Sequence, residues 1–237
     1  MGEQTREIRF ERWWNVRDLG GLPTADGGAT RYGVLVRAAS PGFATPADTM
    51  RARALGLTTF VDLRMAGHPP DWRRADASVI TVGVDVVGSL SRPTDIAAEE
   101  VLPLLLRGAA GRVAEAVREV TALAGDRPPV VFHCHTGKDR TGALAMLLLS
   151  LAGVPDDVVV EDYLASNPEF EAMRRALVPE QGDGFMGGAP AAVQGPVPEE
   201  GARRALRVLA DAGGVGAYLR EAGLTEDEVA EATALLR

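Results

Sequence analysis

From Gly142 to Val154 the sequence is apolar almost without a break, and at 13 residues the stretch is shorter than the ~20 that a membrane-spanning helix needs. The segment Thr141–Leu151 therefore reads as a helix apolar nearly all round, and such a helix is buried. It follows the strand-like run Val130–His133 across a short polar turn. Further strand-like runs lie at Val34–Val36, Thr58–Leu63 and Ser78–Val84, most of them separated by stretches with helical periodicity or length. Strands alternating with helices predict an α/β fold, a mostly parallel central sheet flanked by helices.

Local signals place the helices. Thr45-Pro46 before Ala47–Leu55 is an N-cap followed by proline at the first helical position. Thr94–Leu106 and Arg112–Ala124 read as two helices broken near Gly108 and Gly111, and Val158–Ala165 as another, with a further helix starting at Pro168. The Gly/Pro-rich stretch Gly182–Pro198 reads as a loop. Two or three helices follow it to give a helical C-terminal region, the last opening with the capping pattern Thr225-Glu226-Asp227-Glu228. No internal repeat is visible, and residues 1–237 are expected to form one domain.

Charge and composition narrow the partners. Twenty-five Lys and Arg against 33 Asp and Glu give a net charge of −8, with no basic run. Nucleic acid and anionic membrane surfaces are poor partners for such a chain. The charged segment MGEQTREIRFER lacks the apolar centre of a signal peptide, so a cytoplasmic location is expected. One cysteine permits neither an internal disulfide nor a Cys-cluster zinc site.

That cysteine lies in the most informative segment, Val130-Val131-Phe132-His133-Cys134-His135-Thr136-Gly137-Lys138-Asp139-Arg140-Thr141-Gly142. A strand, a short polar turn and a buried helix in succession bring several backbone N–H groups to a helix N-terminus, which is an anion site. Cys134 is expected on its rim, where the helix dipole and nearby cations favour the nucleophilic thiolate. Arg140 can grip two phosphate oxygens with its planar fork, Gly137 permits the tight backbone curvature, and Thr141 is placed to hydrogen-bond the sulfur. His133 and His135 flank Cys134 but share the opposite face of a strand, which makes a metal site among them a poor reading. The ATP-binding phosphate loop does not fit, because Asp139 follows Gly137-Lys138 where Ser or Thr is required.

The string His133-Cys134-x5-Arg140-Thr141 resembles the signature of the protein tyrosine phosphatase superfamily. Its HCxxGKDRTG form is similar to the bacterial branch of tyrosine and lipid phosphatases. Asn15-x-Arg17-Asp18-Leu19-Gly20-Gly21, Val61-Asp62-Leu63-Arg64, Asp162-Tyr163-Leu164-x-Ser166-Asn167 and Tyr218-Leu219-Arg220-x-Ala222-Gly223 resemble further family segments. After Arg64 the chain departs from the pattern with Met65-Ala66-Gly67-His68-Pro69-Pro70-Asp71-Trp72.

The resemblance implies a cysteine-dependent phosphomonoester hydrolase, without metal or cofactor, acting on a phosphorylated protein, lipid or small molecule. Cys134 would be the nucleophile, Arg140 the transition-state clamp and Asp139 the general acid, with Asp85 as the more distant alternative. His135, Thr136, Gly137, Lys138 and Arg140 would hold the phosphate, and His133, Thr141 and Asp62 would support the loop. Lys138 would add positive charge to the pocket floor, a feature of the lipid-phosphatase branch. A rhodanese-type sulfurtransferase and a catalytically dead phosphate-binding module are the competing readings.

Overall fold

A computed structural model describes residues 5–64, 78–81, 96–182, 186 and 191–237. Strands β1 (Arg17–Asp18), β2 (Leu35–Ala38), β3 (Thr59–Asp62), β4 (Ser78–Thr81) and β5 (Val130–His133) form a sheet in the order β1-β2-β5-β3-β4. All neighbours are parallel except β1, which runs antiparallel to β2. His133 pairs with Ala38 on one side and with Asp62 on the other, so β2, β5 and β3 end level. Open α/β sheets bind ligands outside the carboxyl ends of their strands, and here residues 134–138 follow directly from that edge.

Side chains along the central strands alternate between two cores, as the two-residue period of a strand requires. Leu35, Val61, Val130 and Phe132 enter one cluster; Val36, Phe60 and Val131 enter the other, with Trp13 and Ala52. The second face is covered by the N-terminal segment and by α1 (Pro46–Ala54). Its N-cap Thr45 forms a reciprocal capping box with Asp48. The larger core lies beneath α2 (Val101–Gly108), α3 (Ala110–Asp126), α4 (Asp139–Leu151), α5 (Asp156–Leu164), α7 (Glu199–Asp211), α8 (Val215–Glu221) and α9 (Glu226–Leu235), with α6 (Ser166–Gln181) following α5.

Helix α4 is the hub. Ten of its 13 residues are buried, and it packs on β2, β5, α2, α3, α5, α8 and α9. Each fully buried leucine contributes roughly 1.5–3 kcal/mol, so this helix is held firmly and its N-terminus is fixed against the end of β5. Among the described residues no helix is long and apolar enough to cross a membrane.

The elements depart from the sequence pattern in a few places. The break between α2 and α3 falls at Ala109, and Gly111 lies inside α3. Helix α6 begins at Ser166, ahead of Pro168, because proline in a first turn loses only an N–H that has no helical partner. Strand β1 was not apparent as a strand, since its two residues are charged. A 3₁₀ turn at Ala98–Glu100 leads into α2. The expected helix start at Thr94, the strand tail Val82–Val84, His68, Asp71 and Asp85 lie outside the described residues.

Candidate active site

Between the end of β5 and the start of α4 the backbone carbonyls are held one after another from outside the loop. Leu63 N donates to His133 O at 2.8 Å, and Ser40 N donates to His135 O at 2.8 Å. His133 Nδ1 lies 3.0 Å from Cys134 O. A carbonyl only accepts, so Nδ1 carries the proton in this contact. Asn15 Nδ2 donates to both Thr136 O and Gly137 O, at 3.1 and 2.9 Å. Arg37 Nη2 adds a second donor to Gly137 O at 2.9 Å. Finally Gly142 N reaches back to Lys138 O at 2.6 Å, closing the first turn of α4.

In a trans peptide the C=O and the following N–H point in opposite directions. Among the described residues the cis bond is Pro128–Pro129, so the loop peptides are trans. Carbonyls held outward therefore turn the amides of His135 through Asp139 to the inner side of the loop. That side faces the N-terminus of α4, where the helix dipole adds partial positive charge. Gly137 makes the turn with φ +71°, and a Cβ there would sit 2.6 Å from Ala38 O. No other residue type fits.

Cys134 is 3% exposed. The residue is thus buried just past the end of β5 rather than exposed on a rim. Asp139, the first residue of α4, and Arg140 are half-buried beside it in the chain. Arg140 Nη1 lies 3.4 Å from Leu63 O, and the guanidinium makes no ion pair among the described residues. Asp139 likewise forms no ion pair there. Arg17 binds Asp162.

Two other expectations change. The ammonium of Lys138 does not project freely into the pocket floor; it is buried, donates to Val193 O at 3.0 Å and Gly195 O at 2.5 Å, and lies 3.8 Å from the Phe170 ring centroid. Burial lowers its pKa, while Asp139 and Cys134 act in the opposite sense. Thr141 Oγ1, expected to reach the sulfur, is buried and makes no hydrogen bond among the described residues. His135 turns its ring edge-on to Phe43, 5.3 Å between centroids, and Phe43 in turn meets Trp14 at 5.9 Å. Asp62 is chelated by Arg64, with Nη2 at 2.6 Å and Nε at 2.9 and 3.1 Å, and stands 3.9 Å from His133 Nδ1. Burial opposes its ionisation, but Arg64 and His133 bring its pKa below the usual carboxylate range.

Sequence reasoning gave no role to the charge cluster behind the loop. Asp162 of α5 accepts from Arg6 at 2.5 Å, Arg17 at 3.1 Å and Arg37 at 2.6 Å, and is itself buried. Burial disfavours its charge, yet three guanidiniums override that and hold its pKa far below the ordinary value. Burial, and then the adjacent Arg17, push Arg37 down to about 10, which leaves it charged at neutral pH. Spacing could not have assembled this cluster, whose members come from four separate segments.

A model of the tyrosine phosphatase family matches residues 8–237. This chain belongs to the tyrosine phosphatase family. A tyrosine-protein phosphatase of Cupriavidus necator is 34% identical to this family member over 172 residues, 68% of the chain and 63% of the relative. The triple specificity protein phosphatase PtpB of Mycobacterium tuberculosis is 35% identical over 126 residues, 47% of the chain and 45% of its own length. A tyrosine-protein phosphatase of Nostoc commune is 31% identical over 217 residues, 82% of the chain and 71% of the relative. The chain thus spans less than two thirds of the first two relatives. Among the described residues of this phosphatase-family chain, no group of three or more His, Cys, Asp or Glu is arranged to hold a metal ion.

Two outcomes follow from this geometry. Gly137→Ala forces a side chain against the Ala38 carbonyl in a left-handed conformation that alone costs about 1–2 kcal/mol. Isothermal titration with vanadate should find binding to the folded variant weakened at least tenfold, and unchanged binding would contradict the loop geometry. Asp162 stabilises the fold fully above its unfolded pKa of about 3.9, and that contribution is lost as pH falls toward the depressed folded value. Asp162→Asn should lose about 3–5 kcal/mol at neutral pH, the cost of removing one partner of a buried pair, and show a shallower decline below pH ~4. Urea denaturation across pH measures both; parallel curves for the two proteins would exclude Asp162 as the acid-sensitive group.

Proposed function

We propose that this chain is a phosphomonoester hydrolase working through a cysteinyl-phosphate intermediate. One observation carries the reading: consecutive carbonyls from Cys134 onward are held by donors outside the loop, which leaves the amides that follow them for an anion next to the chain's one cysteine. A phosphoryl group matches that cradle in charge and in its number of acceptor oxygens.

The Cys134 thiolate attacks phosphorus and the bond to the leaving oxygen breaks. Asp139 gives its proton to that oxygen, then takes one from the water that cleaves the S–P bond and releases phosphate. Arg140 and the loop amides stabilise the equatorial oxygens through both steps. Arg140 is suited to this, because its hydrogen bond to Leu63 O fixes one arm while no carboxylate among the described residues neutralises it. The hydroxyl of Thr141, without a partner among the described residues, is a donor available to the sulfur when it leaves. A phosphate-binding module would need the cradle but neither the thiol of Cys134 nor the acid of Asp139.

An aryl phosphate, phosphotyrosine in a protein with dual specificity included, is the substrate class best supported. Two of the three relatives carry tyrosine-protein phosphatase in their names, and Phe43 and Trp14 set aromatic surface next to His135 of the loop. Lys138 offered the reason to favour a phosphoinositide or small phosphorylated metabolite, and its ammonium is committed to two backbone carbonyls. The reading takes residues 1–237 as one domain serving this site.

Variant kinetics test the assignment. Cys134→Ser should abolish turnover of p-nitrophenyl phosphate while retaining vanadate affinity, since the amides and Arg140 remain. Asp139→Asn should slow phenyl phosphate far more than p-nitrophenyl phosphate, because proton donation matters most for a basic leaving group. Near wild-type turnover by Cys134→Ser would end the covalent mechanism, and equal losses on both esters would remove Asp139 from the acid role.

A further inference from the structure

Asn15 is the one non-glycine residue with a positive φ, +57°, among the described residues. Asparagine tolerates that conformation better than most side chains, but it still has to be held there. Here the hold is explicit. Glu169 at the start of α6 accepts from Asn15 N at 2.8 Å, and Arg17 donates to Asn15 Oδ1. With the oxygen fixed by a guanidinium, the amide nitrogen must face the phosphate loop. Its two hydrogens meet two acceptors, Thr136 O and Gly137 O. The side chain is 1% exposed and fully satisfied.

We infer that Asn15 is a positioning residue that sets the Gly137 and Lys138 amides toward the phosphoryl group, with Arg17 and Glu169 holding Asn15 and Arg37 adding to the restraint on Gly137 O. This rests on the reading of the loop as a phosphoryl site. The two carbonyls belong to the peptides 136–137 and 137–138, so their orientation fixes those two N–H groups. Gly137 is the most freely rotating point in the loop, which is where an external restraint has the greatest effect. Arg37 doubles the restraint on Gly137 O and is itself held by Asp162 and Ser166. Asn15 lies behind the loop and does not face the inner side, so it acts through the amides alone. Aspartate at this place would set a carboxylate against two carbonyls, and glycine would keep the backbone while removing the restraint.

The test compares wild type, Asn15→Gly and Glu169→Ala. Each is assayed for turnover of p-nitrophenyl phosphate, for vanadate affinity by competition, and for thermal midpoint. Asn15→Gly should lower kcat and vanadate affinity together by about 10- to 100-fold, somewhat less than removal of a whole oxyanion donor, with KM changing less than kcat. A purely structural role would move the thermal midpoint and leave vanadate affinity alone. Wild-type kcat and vanadate affinity in folded Asn15→Gly would overturn the assignment. Should that variant not fold, Glu169→Ala decides, because its half-buried side chain can be removed without opening the core. A loss of vanadate affinity of about fivefold, the size expected for one ordinary hydrogen bond, supports the inference, and unchanged affinity overturns it. Failure of the wild type itself to bind vanadate or turn over the ester would overturn the phosphoryl reading together with it.

Discussion

The structure depends on the way one short loop is prevented from satisfying its own carbonyls. After β5 the chain makes neither strand nor helix until Asp139, and each carbonyl from His133 to Gly137 is met by a donor from elsewhere. The donors come from the end of β3, the loop after β2, a neighbouring imidazole and the N-terminal segment. A buried carbonyl without a partner costs about 1–3 kcal/mol, so these contacts are needed for folding. They also leave the loop amides turned to the other side, toward the N-terminus of α4. The feature that stabilises the turn is therefore the feature that turns these amides to one side, on which the proposed chemistry rests.

Behind that loop the charges follow the same economy. Asp162 gathers Arg6, Arg17 and Arg37, and two of these pass the restraint on: Arg17 through Asn15, and Arg37 directly to Gly137 O. One buried carboxylate thus organises three guanidiniums behind the loop.

Much of the fold was legible. The apolar run after Cys134 fixed α4 as a buried helix, and β5 was expected at Val130–His133, the residues it occupies. The capping residues Thr45 and Thr225 marked two helix starts, since both signals are local. Strand β1 was not legible, because Arg17 and Asp18 are buried through their charges rather than their apolarity. At the site, the signature string gave the loop and the family. It could not show that Cys134 is buried, that the ammonium of Lys138 turns toward Val193 and Gly195, or that Thr141 Oγ1 has no hydrogen-bond partner among the described residues. Nor could it reveal the work of Asn15, whose contacts lie more than a hundred residues away along the chain.

The covalent role of Cys134 is the claim on which the chemistry turns. Its most direct test is rapid acid quenching of the enzyme during turnover of p-nitrophenyl phosphate, followed by peptide mass spectrometry to locate any phosphoryl group. The account predicts a phosphoryl group on the Cys134 peptide, absent from Cys134→Ser. Turnover without any protein-bound phosphoryl group, or one carried by a different residue, would contradict it.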